Sequence, residues 1–500
     1  MAPPKKKAAA TPTSKARLAS LVKSARDIMR KDAGLNGDLD RLPQLSWLLF
    51  LKAFDERVEL PGPVLDPDYR PAIEAPYRWQ DWAADPDFSG KELTEFVNRE
   101  LIPYLAGLKG RNADDPRNVL STIFKDVNNR MLAGSLLRDL VEVVNQIHFS
   151  SSDDIHTMAF VYESILKEMR DAAGDSGEFY TPRPVNRFMA QQSFLKPGES
   201  ILDPACGTGG FLVQAYEDLY KVLKDQGTTE TELKRLHSNL RGIEKKPLPY
   251  LLASMNLLLH GIDAPRLVRF NALDLMRDAT AADRVDVVLT NPPFGGEEEK
   301  SIVDKFPSGY RTQETAWLFV HAILDQLKAG GRCAIVLPNG SLFAGGVGAR
   351  IKEKLMKECN LHTIVRLPQG VFAPYTQIPS NLLFFEKTGP TEETWFYEVP
   401  LSEGRRGYTK TKPMRFEEFD GCVEWWGGEK REDREVGPQA WVVPAEDIKK
   451  ANCNLDIPNP HVGDDLVHRT PEELVDDLLK TEGEILGLLR ELRAELGGTP

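Results

Sequence analysis

The sequence lacks the features that would place it in several large classes of protein. Its five cysteines, Cys206, Cys333, Cys359, Cys422 and Cys453, are scattered without a Cys-x-x-Cys pair, and its eight histidines form no cluster. That pattern excludes a disulfide scaffold and offers no ligand set for a structural zinc, so a reducing cytoplasm is the expected location and no metal is expected. No apolar run approaches the ~20 residues needed to span a bilayer, and nothing resembles a cleavable signal, so no membrane partner is expected. Positive charge is short as well: 63 Lys and Arg against 75 Asp and Glu leave a net charge of −12. A chain of this balance that met nucleic acid would need a local basic face or a partner, because phosphate contacts dominate such affinity.

What is present is a long soluble chain, 500 residues at 41% hydrophobic content, enough for roughly two to four domains with ample core. Its most informative stretch is the β-branched run Val285-Asp286-Val287-Val288-Leu289-Thr290, which stops at Asn291-Pro292-Pro293-Phe294. Two consecutive prolines lack N–H donors and have fixed φ, so they turn outward at the strand's end. In an open α/β sheet that end is where ligands bind. Asn291 can offer a side-chain oxygen and Pro292 a backbone carbonyl, two acceptors for the two hydrogens of one planar NH2 group. Gripping those hydrogens makes the nitrogen more sp3 and more nucleophilic, which is what methylation of an exocyclic amine requires. Phe294 offers a ring face on which a flipped base could stack, a contact worth roughly 1 to 3 kcal/mol. Alone, the motif is equally a turn after a buried strand.

The cofactor side lies upstream. Ser200-Ile201-Leu202-Asp203 reads as a strand, followed by the glycine-rich turn Pro204-Ala205-Cys206-Gly207-Thr208-Gly209-Gly210 into a helix. Glycines allow close backbone approach, and a helix N-terminus favours a carboxylate. The turn departs from the Gly-x-Gly-x-x-Gly spacing of dinucleotide sites, and Asp203 argues for a cationic ligand. S-adenosylmethionine, with its ammonium, sulfonium and carboxylate, fits. A second strand, Leu240 to Glu244, ends in an acid placed for ribose hydroxyls. After a third, Leu267 to Phe270, Asn271 and Asp274 could contact the cofactor adenine, although polar caps are common there.

Three motifs then stand in one order: Gly177-Glu178-Phe179-Tyr180-Thr181-Pro182-Arg183-Pro184, Asp203 to Gly210, and Asn291 to Phe294. Together they resemble the N6-adenine DNA methyltransferases, and more narrowly the modification subunits of type I restriction-modification systems, over most of the chain. The resemblance implies an α/β fold: a Rossmann-like S-adenosylmethionine-dependent methyltransferase sheet, with an N-terminal α-helical domain and a C-terminal coiled-coil helix. It implies that Glu178, Phe179, Tyr180, Thr181, Pro182, Arg183, Thr208, Gly209, Gly210 and Glu244 line the cofactor pocket, and that Asn291, Pro292, Pro293 and Phe294 hold the target adenine. Asp203, Ala205 and Gly207 complete the expected cofactor set. The implied partners are duplex DNA, a specificity subunit, a second copy of the chain and a restriction subunit. Protein glutamine methylation uses the same planar NH2 chemistry and is the rival enzymatic reading; a silent assembly scaffold is the non-enzymatic one.

The expected organisation is a disordered basic tail over 1–14, a helical domain over 15–150, a catalytic domain over 154–387, an extension over 388–470 and a terminal helix over 471–497. In the helical domain, Leu132, Leu136, Leu137, Leu140, Val141 and Val144 recur at helical spacing. Residues 295–312 read as a mobile loop over the base. The extension holds no helix-turn-helix, zinc site or basic recognition helix, so sequence choice is expected to come from another subunit. In the terminal helix, Val475, Leu478, Ile485, Leu489, Leu492 and Leu496 form an a/d seam, interrupted at Glu482, that suits a partner helix.

Overall fold

The computed structural model describes residues 15–59, 70–112, 115–149, 181–294, 296–373, 376–402, 405, 407–409, 411–461, 482 and 486. The tail over 1–14 and the motif residues Glu178, Phe179 and Tyr180 lie outside them. Of the helix expected over 471–497, Glu482 and Leu486 are described, both helical.

The N-terminal region is helical because its apolar residues recur at helical intervals. The helix Asp38–Phe54 buries Trp47, Leu48, Leu51 and Phe54 and packs with Lys15–Met29 and Gly134–Asn145. Trp47 meets Phe124 edge-on at 6.2 Å between ring centroids. The loop ahead of Gly134 is held by Asp32, whose carboxylate accepts the backbone N–H groups of Gly34, Leu132 and Ala133. That bond draws Leu132 out of the expected helical stripe: its side chain precedes the helix and is 72% exposed.

The rest of the described chain is organised on one nine-stranded sheet: β1 (Ile201–Asp203), β2 (Leu240–Glu244), β3 (Arg266–Arg269), β4 (Val285–Thr290), β5 (Leu327–Pro338), β6 (Asn360–Arg366), β7 (Ser380–Glu386), β8 (Glu393–Glu398) and β9 (Ala440–Pro444). The order is β3-β2-β1-β4-β5-β7-β6-β8-β9. β1 to β5 run parallel, β7 is antiparallel to both β5 and β6, and β9 is antiparallel to β8. Alternate side chains enter different cores, Val287 and Leu289 on one face and Val288 on the other, as the two-residue strand period dictates. The helices Gly210–Gln226 and Pro247–Leu259 cover the first face, and Thr315–Gln326 and Val347–Glu358 the second. Asp38–Phe54 rests on Pro247–Leu259, which joins the helical domain to the sheet.

Two expectations are corrected. The sheet continues past Lys387: β8 and β9 extend it, and the tryptophans of this stretch are packed rather than displayed. Trp441 stacks on Phe396 at 5.3 Å, Trp426 meets Phe384 edge-on at 4.9 Å, and the Arg434 guanidinium lies over both Trp425 and Trp426. The described part of 295–312 is likewise folded, with a helical turn at Lys300–Val303 and Ile302, Val303 and Phe306 buried. Burying those three apolar side chains opposes release of the segment into solvent.

Candidate active site

The chain runs from β1 outward to β2 and β3 and then returns to β4 on the other side of β1. This is the reversal at which open α/β sheets form a ligand crevice beyond the carboxyl ends of their strands. The pocket found there is lined by Thr181, Asn186, Asp203, residues 205–208, Gly210, Phe211 and Asn291.

Asp203 ends β1 and is 1% exposed. Its Oδ1 accepts the Ala205 N–H at 3.1 Å, which shapes the turn, and the Thr290 hydroxyl at 2.9 Å, which ties β1 to β4. Gly209 adopts φ 77° at the start of the helix Gly210–Gln226, a left-handed conformation that glycine takes without strain. The Cys206 N–H donates to the Ile243 carbonyl at 3.0 Å, and the Asn256 amide to the Thr208 carbonyl at 3.0 Å. The glycine turn is therefore anchored on both β2 and the helix that carries the N-terminal domain.

Glu244, at the end of β2, accepts the Gly207 N–H at 3.0 Å and the Lys246 N–H at 2.7 Å. Each carboxylate oxygen has a further lone pair for a hydroxyl donor. Burial pushes the carboxyls of Asp203 and Glu244 up to about 7, against the hydrogen bonds each accepts, and the Glu244 charge raises Asp203 further. Among the described residues, no cation belongs to the groups acting on Asp203. Two buried acids beside a glycine turn fit a cationic ligand that also carries ribose hydroxyls.

On the opposite wall, the Asn291 amide donates to the Thr181 hydroxyl at 3.0 Å. Its Oδ1 is buried with no hydrogen-bond partner among the described residues. Phe294 is half-buried and meets Phe372 edge-on at 5.7 Å. An orphaned amide oxygen, three residues before a phenylalanine that packs on a second ring, offers an acceptor to an incoming planar amine.

Of the remaining expected residues, Pro182 precedes and Arg183 opens the helix Arg183–Gln192. Asn271 lies beyond β3, but its Oδ1 caps the helix Ala272–Arg277 through the Leu273 N–H at 3.0 Å, and its amide donates to Glu298. Asp274 is paired with Lys305. Neither lines the pocket. Sequence reasoning missed Asn186 and Phe211, which reach the pocket from helix faces, and Thr290, whose hydroxyl holds Asp203 from the end of β4; no local motif marks them.

The fold and pocket define a methyltransferase that uses S-adenosylmethionine. Comparison with known proteins narrows the class. The N-6 DNA Methylase family matches residues 153–467, and the HsdM N-terminal domain matches residues 18–144. The methylase subunit of the type I restriction enzyme EcoEI of Escherichia coli is 47% identical over 96% of this chain and 98% of its own. A type I restriction enzyme modification subunit from Vibrio vulnificus superposes with TM-score 0.82 at 50% identity, covering 92% of this chain and all of that one. A chain from a structure of a type I restriction-modification system superposes with TM-score 0.78 at 38% identity, covering 97% and 99%. The chain belongs to the N-6 DNA methylase family, among the methylase subunits of type I restriction enzymes.

Proposed function

We propose that this pocket methylates N6 of an adenine turned out of duplex DNA, with Asn291 to Phe294 holding the base and Asp203, the glycine turn and Glu244 holding the methyl donor. The observation that carries the reading is the Asn291 Oδ1, buried and unpartnered while its amide is fixed on Thr181. That oxygen and the Pro292 carbonyl accept the two N6 hydrogens, drawing the amine out of conjugation so that its lone pair faces the donor. S-adenosylmethionine, when bound, supplies an electrophilic methyl. The N6–carbon bond forms as the sulfur–methyl bond breaks, and the amine then gives up one proton to water. Flipping costs a few kcal/mol, offset by stacking on Phe294 and the two hydrogen bonds.

The chain acts within a type I complex in the cytoplasm, with target choice supplied by a specificity subunit. A second copy and a restriction subunit complete the assembly. This division of labour is supported by the affinity with the EcoEI methylase subunit and by the packed, non-basic character of the described residues beyond β7. On this reading the helical domain spans 15–150, and the catalytic domain begins near 154 and has a sheet that includes β8 and β9. Among the described residues, no helix is long and apolar enough to cross a membrane.

The test is co-expression with a type I specificity subunit, followed by mapping of N6-methyladenine in host DNA. Modification at one recurrent site, lost in Asn291→Ala, is the expected result. Unmodified adenine together with methylated protein glutamine would overturn it.

A further inference from the structure

Asn186 sits in the first turn of the helix Arg183–Gln192, is 1% exposed, and has no part in the mechanism above. Its Nδ2 donates to the Thr181 carbonyl at 3.4 Å, which sets the orientation of the amide. Its Oδ1 is then buried with no hydrogen-bond partner among the described residues, and the residue lines the same pocket as Asp203 and Asn291. A buried acceptor without a donor is destabilising, and an apolar side chain of similar size would fill the space without that cost.

The position of Asn186 tells which ligand group completes it. A Cβ on Gly210 would lie 2.4 Å from Asn186 Nδ2, so the side chain is pressed against the glycine turn on the cofactor wall. Asp203, on the same wall, takes both of its hydrogen bonds on Oδ1, and Oδ2 has none among the described residues. Two residues that line the pocket, one neutral and one acidic, thus each carry an oxygen without a donor among the described residues. An ammonium has three N–H donors and the matching charge.

We propose that Asn186 Oδ1 accepts a hydrogen bond from the ammonium of the methyl donor's amino-acid end, beside Asp203. Thr181 then steers two asparagines at once: its hydroxyl aims Asn291 at the base, and its carbonyl aims Asn186 at the cofactor. The assignment rests on the reading of this pocket as the S-adenosylmethionine site.

The test compares two ligands of the full chain by calorimetry: S-adenosylhomocysteine, which has the ammonium, and 5′-methylthioadenosine, which lacks the amino-acid end. Both are titrated into the wild type, Asn186→Ala and the volume-keeping Asn186→Leu. The expected result is a loss of about ten- to hundredfold in affinity for S-adenosylhomocysteine in both variants, the size of one hydrogen bond to a charged group. Affinity for methylthioadenosine should move by less than about twofold. The ratio of the two affinities is read within one preparation, so partial misfolding does not change it. An unchanged ratio would assign Asn186 to packing and overturn the proposal. A wild type that binds neither ligand would instead remove the cofactor reading beneath it.

Discussion

Two pairs of asparagines lie at the same end of the same sheet, and their hydrogen bonding differs. Beyond β5 and at the start of β7, the Asn381 amide donates to Asn339 Oδ1 at 3.1 Å and the Asn339 amide to Asp456 at 3.1 Å. Asp456 is in turn paired with Arg366 at the end of β6. No amide atom of Asn339 or Asn381 is buried without a partner, whereas Asn291 and Asn186 each leave Oδ1 unmet. Burial is common to Asn381 and Asn186, both 1% exposed, so burial does not distinguish them. Unspent hydrogen-bonding capacity does: the pair at β5 and β7 uses its polar groups to close the sheet end, and the pair beside β1 and β4 leaves two acceptors open, as the proposed ligand site requires.

The contrast is broken most severely at Asn291. Asn291→Ala should cut methyl transfer by about a thousandfold, the upper range for losing one pre-aimed polar group, while S-adenosylhomocysteine affinity stays within about threefold. Activity within tenfold of wild type would place the essential acceptor elsewhere. Asn381→Ala should do the reverse. It strips Asn339 Oδ1 of its donor and should lower unfolding stability by about 1 to 3 kcal/mol, read from the denaturant midpoint, with cofactor affinity unmoved.

Protonation offers a third handle. Asp203 and Glu244 hold their protons more tightly than free carboxyls, with pKa values raised to about 7. Below that pH both are neutral while the donor's ammonium stays charged, so affinity for S-adenosylhomocysteine should rise by about tenfold from roughly pH 6 to pH 8. A flat titration would mean that the bound ammonium draws nothing from either acid. The smallest effect is expected at Asn271, whose side chain caps a helix: Asn271→Ala should cost about 1 kcal/mol of stability. A parallel fall in cofactor affinity would move Asn271 to the ligand-facing side of the comparison.

The motifs most legible in the sequence were those whose chemistry is local. Asp203, the glycine turn and Asn291-Pro292-Pro293 are short runs in which residue type and backbone geometry explain each other, and β1, β2 and β4 lie within a residue of where their apolar patterning put them. β8 and β9 were hidden because Trp395 and Trp441 sit among charged residues and glycines, and only pairing with β6 and with each other makes them strands. Residues 295–312 looked like a loop because a buried trio, Ile302, Val303 and Phe306, is too short to announce a helix. Asn186 was invisible for another reason: its meaning comes from Gly210, 24 positions away, and from a carbonyl on a preceding turn.

The hydrogen bond between Asn291 and Thr181 joins positions 110 residues apart. Closing so long a loop costs chain entropy before any contact rewards it, and β1, β2, β3 and β4 all lie within it, so the pocket's walls exist together only in the folded sheet. A small molecule that binds between those walls recognises finished molecules alone. At a hundredfold excess over its dissociation constant it would add about 2.7 kcal/mol to their stability. In a growing cell the methyl donor would thus act on the abundance of this subunit as well as on its turnover, and a shortage would thin the population of intact enzyme before it slowed the survivors.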